Sequence, residues 1–139
     1  MERTLAIIKP DAVQRNLTGQ IVSRLETEGF VILGLKMISL SKSTAEHFYQ
    51  VHRGRPFFDS LTTYMASGPA VPILLQRDNA IDALRELMGA TNPAQAAVGT
   101  IRQAFGLDVE KNAIHGSDST ASAALEIPFF FSQLEWYER

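Results

Sequence analysis

Near its start the chain carries the stretch Thr4-Leu5-Ala6-Ile7-Ile8-Lys9-Pro10. The apolar part of this stretch is short and is ended by a proline, which is typical of a buried β-strand. A helical pattern of apolar residues follows from Thr18 to Glu28, and Gly29 supplies a natural C-terminal stop. The next run, Phe30 to Leu40, is rich in apolar and β-branched residues and predicts a long second strand. The chain therefore begins with a β-α-β unit.

A second unit of the same order is predicted in the later part of the chain. After the break at Gly68-Pro69, the pattern predicts a third strand from Val71 to Leu75 and a helix from Ile81 to Met88. A short fourth strand is predicted from Ala113 to His115. The last helix is predicted from Ser119 to Phe131, and we expect it to be held by the apolar residues Leu125, Ile127 and Phe129.

Two more helices are predicted between these units. Ser43-Thr44-Ala45-Glu46 has the spacing of a capping box and opens a helix that runs to about His52. Pro56 suits the first turn of the next helix, whose apolar side is formed by Phe57, Leu61, Tyr64 and Met65. The whole order predicts one domain spanning residues 1–139, of α+β class, with an antiparallel four-stranded sheet and helices on one face.

Composition excludes several classes of protein. The hydrophobic fraction of 45% and charged fraction of 20% are those of an ordinary soluble globular protein. A net charge of −2 without any basic run argues against a dedicated nucleic-acid binder. The chain has no cysteine, which excludes disulfides and thiolate metal sites and suits a reducing cytoplasm. No apolar run approaches the ~20 residues that span a bilayer, so no membrane contact is expected.

Several familiar catalytic motifs are absent from the sequence. It has no G-x-x-x-x-G-K-[ST] phosphate loop, no protein-kinase motif set, no G-x-S-x-G and no H-E-x-x-H. His47 and His52 are five residues apart, which places them off a common helix face and disfavours a paired metal site.

The most informative segment is Asn112-Ala113-Ile114-His115-Gly116-Ser117-Asp118-Ser119, which joins the last strand to the last helix. Free backbone N–H groups at such a helix start favour an anion, and Gly116 lets the chain turn beside the imidazole. A histidine with a pKa of ~6.5 is a nucleophile without a separate base near pH 7. Glu126, on the following helix, is placed to hold the other ring nitrogen.

Spacing alone does not make His115 a nucleophile, because a histidine beside glycine and serine is more often an ordinary loop or cap residue. If the anion favoured at this helix start is a phosphate group that His115 takes up, the site also needs cations to bind it. The candidates are Lys9, Arg85 and Arg102, and each has an alternative interpretation as a solvated surface charge. Phe57, next to another phenylalanine, is more often a core residue than a platform for a base. Thr91-Asn92-Pro93 is more often a plain turn.

Taken together, the chain resembles the nucleoside diphosphate kinase family essentially from end to end. The family motif Asn-x-x-His-Gly-Ser-Asp-Ser stands here as Asn112 to Ser119. Further matching segments occur in the family's order, namely Thr4 to Val13, Arg55 to Phe58, Met65 to Pro69, Gly89 to Ala94 and Gly99 to Arg102. The resemblance implies a ferredoxin-like fold and a ping-pong reaction, in which a nucleoside triphosphate (typically ATP) phosphorylates His115 and a diphosphate then accepts the group.

The resemblance also implies roles for individual residues. Glu126 and Ser117 would hold the ring of His115, and Tyr49 would support its phosphorylated form. Lys9 and Asn112 would contact the sugar hydroxyl, with Lys9 also near the transferred phosphate. Phe57 would stack on the base, bordered by Leu61 and Val109. The phosphates would be bound by Arg85, Thr91, Arg102 and His52.

Stacking on an aromatic face is nearly blind to base identity, so the family member should accept nucleotides of broad base specificity. Mg²⁺ would be held mainly by the nucleotide phosphates, with few or no protein ligands. Family members assemble as tetramers or hexamers built from dimers, and the sequence does not choose between them. The chain departs from the usual family pattern at Gln76-Arg77, where a glutamate and a glycine are common.

Two other hypotheses stand beside an active kinase. The first is a catalytically silent member of the family that binds nucleotide and acts in regulation or assembly. The second is a small ferredoxin-like nucleic-acid binder, which usually carries paired strand aromatics and a basic face that this sequence lacks.

Overall fold

A computed structural model describes all residues from Met1 to Arg139. Its sheet contains β1 (Glu2–Ile8), β2 (Val31–Leu35), β3 (Ile38–Ser39), β4 (Pro69–Arg77) and β5 (Ile114–Gly116). The main strand order is β2-β4-β1-β5, every pairing is antiparallel, and the two-residue β3 pairs with the start of β4. The predicted α+β class with an antiparallel sheet is confirmed, and the predicted first strand is a central one.

Seven helices accompany the sheet: α1 (Pro10–Gln14), α2 (Thr18–Thr27), α3 (Lys42–Phe48), α4 (Phe58–Met65), α5 (Ala80–Met88), α6 (Ile101–Phe105) and α7 (Thr120–Phe130). The sequence pattern predicted all of them except α1 and α6. These two have five residues each, which is too short for an apolar period to show. Pro10, interpreted only as the end of a strand, also occupies the first position of α1.

The sheet has a hydrophobic cluster on each face, because side chains alternate along the strands. Ala6 and Ile8 of β1 belong to one cluster, which also receives α2 and α5. Leu5 and Ile7 belong to the other, which is completed by α3, α4 and the end of α7. The prediction of helices on one face is therefore incomplete. The inserted helices and the last helix cover the second face, and the continuous apolar runs of β1 and β4 are the mark of strands buried on both sides.

The long strand predicted from Phe30 to Leu40 is wrong as one element. It divides into β2 and β3 around Lys36-Met37, and the β2–β4 register shifts between Ile32 and Gly34. A Cβ on Gly34 would lie 3.0 Å from Cβ of Trp136, so the C-terminal segment packs where a side chain would otherwise stand. This close contact and the register shift are not visible in the composition of the run.

Two predicted helix details are also wrong. The side chain of Ser41, and not Ser43, caps α3 by accepting a hydrogen bond from the Thr44 N–H. The helix ends at Phe48 and is followed by a 3₁₀ turn to His52. Leu125 does not hold α7, because 78% of it is exposed. Ile127 and Phe129 are partly buried against the second cluster, and the buried residues of α7 are Ala123 and Phe130.

The departure at Gln76-Arg77 lies at the end of β4, opposite the start of β1. The Arg3 Nε donates to Oε1 of Gln76 at 3.1 Å, and the guanidinium of Arg77 lies 5.3 Å from the ring centre of Phe30. Both residues therefore take part in local packing of the sheet. No helix in the structure has the length and apolar character that crossing a membrane requires.

Candidate active site

The structure brings His115 and Glu126 together. His115 lies on β5, opposite Ile7 of β1, and Ser119 caps α7 so that the helix carries Glu126 back toward the sheet. The Nε2 of His115 is 2.9 Å from Oε1 of Glu126, and the Ser117 hydroxyl donates to the same oxygen at 2.9 Å. When Nε2 holds the proton and donates it to the carboxylate, the lone pair lies on Nδ1. The ring is therefore oriented with one nucleophilic nitrogen free.

The backbone before His115 is tightly turned. Ala113 has a φ of +76°, and the Ile114 N–H donates to the Asn112 carbonyl at 3.0 Å, which is the geometry of a γ-turn. Such a conformation is costly for a residue with a Cβ. Here it is supported by the Lys9 N–H, which donates to the Ala113 carbonyl at 2.9 Å. The turn brings Asn112 and His115 to the same end of the sheet.

Gly116 allows β5 to approach α5 closely. A Cβ at this position would lie 2.7 Å from Cε of Met88 and 2.9 Å from Cδ2 of Leu84. Any side chain there would therefore require the ends of Met88 and Leu84 to move.

Lys9 and Asn112 form a buried polar pair beside this turn. The Lys9 ammonium donates to Oδ1 of Asn112 at 2.9 Å and to the Glu110 carbonyl at 3.2 Å. The amide of Asn112 in turn donates to the carbonyls of Thr91 and Val109. Burial lowers the pKa of Lys9 to about 8, and the nearby Arg102 adds to the lowering.

Arg102 lies at the base of a cleft of about 630 Å³. Its guanidinium donates to the Gly89 carbonyl at 3.0 Å and to the Ile114 carbonyl at 2.8 Å. Its Nε is buried without a partner in the protein, and burial lowers the pKa of the group. An unpartnered buried N–H is costly unless a ligand satisfies it. Arg85 and Thr91 line the same cleft, as do Gly116, Ser117 and Asp118.

Aromatic side chains surround the imidazole on its other side. The ring centres of Tyr49 and Phe48 lie 6.1 and 5.6 Å from that of His115, both edge-on. Tyr49 also stacks with His52 at 6.3 Å, and His52 lies 5.2 Å from Phe57. The Tyr49 hydroxyl is buried without a partner, and burial together with the charge of Glu126 raises its pKa. The hydroxyl therefore stays protonated as a donor at neutral pH.

Phe57 is 44% exposed at the start of α4, so it is not a core residue. Leu61 is nearly buried one turn later, and Val109 is 60% exposed in the loop that precedes Asn112. The Ser60 hydroxyl of α4 donates to the Glu110 carboxylate of that loop at 3.2 Å, which ties the helix to the loop.

The structure thus places most of the predicted residues in three groups next to the set of His115, Glu126 and Ser117. These groups are the pair of Lys9 and Asn112, the cleft residues Arg85, Thr91 and Arg102, and the aromatic side formed by Tyr49, His52 and Phe57. Some contributors were not predicted from the sequence. Phe48 has only its position next to Tyr49 as a signal. Asp118 stands inside the matched motif, where an aspartate is typical of a helix start. Glu110 supplies a backbone carbonyl to Lys9, which no side-chain pattern reveals.

The donors for a metal ion are few. No group of three or more histidine or carboxylate side chains is arranged to hold a metal ion. The cleft wall carries two carboxylates, Glu86 and Asp118. Mg²⁺ commonly keeps several waters and binds through one or two carboxylates and the phosphates of a substrate. The donor set of the cleft fits that mode of binding, with the ion arriving on a nucleotide.

Comparison with known proteins identifies the family. The family model described as nucleoside diphosphate kinase matches residues 2–136. The chain belongs to this family. A nucleoside diphosphate kinase from Geobacter sulfurreducens is 61% identical over 135 residues, which are 97% of this chain and 98% of that protein. The corresponding protein from Geotalea uraniireducens is 60% identical over the same shares of the two chains.

Solved structures of the family have the same fold. The nucleoside diphosphate kinase of Aquifex aeolicus is 48% identical and superimposes with a TM-score of 0.96 over 97% of this chain and 98% of that one. The halophilic enzyme of Halobacterium salinarum, solved in complex with CDP, is 41% identical with a TM-score of 0.96 over 99% and 92% of the two chains. The predicted ferredoxin-like fold is confirmed. The family is one of enzymes that transfer phosphate between nucleotides, and its match favours an active nucleoside diphosphate kinase over the silent alternative.

Proposed function

We propose that the reaction of this nucleoside diphosphate kinase passes through a phosphate on Nδ1 of His115. The observation that supports this most directly is the 2.9 Å contact of Nε2 with Glu126, because it occupies one ring nitrogen and leaves the other free. In the first step the Nδ1 lone pair forms a bond to the γ-phosphorus of a nucleoside triphosphate. The bond from that phosphorus to the β–γ bridging oxygen breaks, and the diphosphate leaves with the electron pair.

The second step reverses the first with a different diphosphate. A terminal oxygen of its β-phosphate attacks the phosphorus, the N–P bond breaks, and its electrons return to Nδ1. The proton on Nε2 stays between His115 and Glu126 throughout, because the carboxylate stabilises the positive charge that the ring carries while it bears the phosphate. Ser117 donates to the same carboxylate oxygen and keeps it in position.

Positive charge and hydrogen-bond donors in the cleft support the phosphates. Arg102 offers an unsatisfied Nε, Arg85 and Thr91 line the cleft, and His52 lies at its aromatic side. Lys9 lies beside the sugar and the transferred group in this arrangement, with Asn112 fixing the ammonium. Tyr49 would donate its hydroxyl to an oxygen of the phosphate carried by His115.

A divalent ion belongs to the reaction of nucleotide kinases, and we propose Mg²⁺. Asp118 and Glu86 are the carboxylates of the cleft that would hold it through water. When bound, the ion neutralises charge on the phosphates of the nucleotide.

The base is proposed to stack on Phe57, with Leu61 and Val109 at its edges. Every base has a π-face, so this wall favours broad base specificity. The relative from Halobacterium salinarum was solved in complex with CDP, which supports nucleotide binding by this fold.

Residues 1–139 are proposed to act as one domain that assembles into a tetramer or hexamer of dimers. The absence of cysteine supports a cytoplasmic location.

The experiment that tests the covalent step uses ATP labelled on its γ-phosphate. The protein is incubated with Mg²⁺ and labelled ATP. One sample is digested to locate the label in the chain, and a second sample receives unlabelled GDP. Acid-labile label on Nδ1 of His115 that moves to GDP is the expected result. ATP binding without any transfer of label to protein would overturn the proposed pathway.

Replacing Glu126 with glutamine should slow phosphate transfer without abolishing it. The amide keeps the shape of the carboxylate but removes the charge that stabilises the imidazolium, so we expect kcat to fall by roughly 10²-fold. The measurement is the rate of enzyme phosphorylation in a single turnover. Glu26→Gln, which removes an exposed carboxylate on α2 that does not line the cleft, serves as the matched control and should show a much smaller loss. A wild-type rate in Glu126→Gln would remove this residue from the proposed mechanism.

Replacing Phe57 with alanine should raise the KM for all nucleoside diphosphates by a similar factor. Stacking on one base contributes ~1–3 kcal/mol, which corresponds to roughly 5- to 150-fold in KM. The KM values for ADP, GDP, CDP and UDP test this together. Phe57→Tyr keeps the ring and should restore them, whereas a loss confined to one base would contradict a stacking role.

A further inference from the structure

Asp11 is a buried carboxylate that the proposed mechanism does not use. It lies in the first turn of α1, two residues after Lys9, and its side chain is 3% exposed. Two side chains bind it. The Tyr64 hydroxyl donates to Oδ1, and the Arg15 guanidinium donates to Oδ2 at 3.1 Å. A carboxylate is costly to bury unless it is paired and hydrogen-bonded, as Asp11 is.

The Asp11–Tyr64 contact also fixes the start of α1. Lys9 is the N-cap residue of this helix and makes no side-chain capping bond, because an ammonium has no acceptor to offer the free backbone N–H groups. Instead, the Asp11 N–H donates to the Tyr64 hydroxyl at 2.9 Å. A residue of α4 thus caps α1 from outside, and Tyr64 and Asp11 bond each other in both directions. The cap fixes the backbone of α1 two residues after Lys9.

The charges around the Lys9 ammonium come from three parts of the chain. Burial and the charge of Arg102 on α6 both lower the pKa of Lys9, to about 8. Three carboxylates oppose this effect, with Asp11 of α1 first and then Glu110 and Asp108 of the loop before Asn112. Asp11 is also the only one of these three that is buried. Its effect is therefore the least screened by solvent.

We propose that Asp11 is a positioning residue for Lys9, holding the ammonium protonated and in place through the Tyr64–Asp11 pair at the start of α1. This inference rests on the proposed function in one respect, namely that the Lys9 ammonium acts on the nucleotide. The alternative is that Asp11 serves the stability of α1 alone, through its bonds to Tyr64 and Arg15.

The charge part of the proposal is tested without nucleotide. The protein has four lysines, so ¹³C-labelling of lysine Cε gives few NMR signals, and Lys9 is assigned by its loss in Lys9→Arg. In Asp11→Asn, which keeps the shape of the side chain, the titration midpoint of Lys9 should fall by roughly half a pH unit. Asp59→Asn, which removes an exposed carboxylate paired with Lys42, should leave it unchanged. An unmoved Lys9 midpoint in a folded Asp11→Asn protein would overturn this part.

The pH dependence of kcat connects the titration to the reaction. Loss of the Lys9 charge lowers activity as the pH rises through its midpoint, so the alkaline fall in kcat should move to lower pH in Asp11→Asn. In the double variant Lys9→Arg/Asp11→Asn the alkaline position should no longer respond to Asp11, because an arginine stays charged over this range. A purely stabilising Asp11 would lower the melting temperature and leave the pH profile where it was.

The placement part is tested with Tyr64→Phe, which leaves Asp11 charged but removes its cap and partner. We expect kcat to fall by roughly 10-fold while the Lys9 midpoint stays near that of the unchanged protein. A Tyr64→Phe enzyme with wild-type kcat would overturn the placement role. The titration does not depend on catalysis, so a shifted Lys9 midpoint in a protein that accepts no label from ATP would refute the covalent pathway and leave the Asp11 inference standing.

Discussion

His115→Ala is expected to lower the rate of phosphate transfer from ATP to GDP by at least ~10⁴-fold, because the variant lacks the atom that carries the phosphate in the proposed pathway. In that pathway donor and acceptor use the same cleft in turn, so direct transfer between the two nucleotides offers no alternative route. The affinity for ADP should change little. Arg102, Lys9 and Phe57 all remain, and none of them is bonded to the imidazole. Initial rates give the loss of phosphate transfer, and a binding titration with ADP gives the affinity.

The chain offers a matched control for this variant. His47 is an exposed histidine that stacks on Phe129 at 5.6 Å and makes no contact with the cleft. His47→Ala removes the same side chain and should keep nearly the full rate. If His115→Ala kept even a tenth of the wild-type rate in a preparation free of other kinases, the covalent pathway would be wrong.

Arg102→Lys is expected to lower kcat/KM by about 10²-fold, which is the loss typical of one missing donor at a developing charge. The guanidinium spans two backbone carbonyls, of Gly89 and Ile114, and presents a third N–H without a partner. A lysine has the same charge but offers its donors from a single nitrogen, so it cannot bond both carbonyls and a phosphate with the same geometry. Because Arg102→Lys keeps the positive charge, a loss of activity is caused by the changed geometry of the hydrogen-bond donors.

The control is the same substitution at Arg77, whose guanidinium lies over Phe30 at the far end of β4. Arg77→Lys should leave kcat/KM within about 2-fold of wild type. A melting curve for each variant checks that the loss in Arg102→Lys is not a loss of fold. Equal activity of the Arg102→Lys enzyme and the wild type would show that only the charge matters at this position.

The sequence patterns predicted the elements with long apolar runs and missed those decided by a few contacts. β1 and β4 were found because both faces of each strand are buried, which makes their sequences almost continuously apolar. The helices α1 and α6 were missed because five residues carry no readable period. Within the Phe30 to Leu40 run, Gly34 packs against Trp136, which is more than a hundred residues away in the chain.

The motif in the sequence located the candidate site, but it did not predict the hydrogen bonds that connect the residues of the site. The Asn112 to Ser119 segment pointed to His115 and, through the following helix, to Glu126, and the structure places the two side chains in contact. Nothing local in the sequence indicates that Lys9 bonds Asn112, or that Tyr64 caps the helix at Asp11. Those contacts join residues 103 and 53 positions apart, and only the tertiary fold creates such proximity.

The separation of Lys9 from Asn112 has a consequence for how the protein is made. The strand β1 is synthesised before both of its neighbours in the sheet, β4 and β5, which begin only at Pro69 and Ile114. Until β4 is complete at Arg77 this apolar strand has no partner along either edge, which is the condition under which unfinished chains associate with one another. The Lys9 ammonium likewise faces water until Asn112 has been added. The proposed catalytic centre is therefore among the last parts of the molecule to form, and a chain released before α7 would lack Glu126, which contacts the ring of His115.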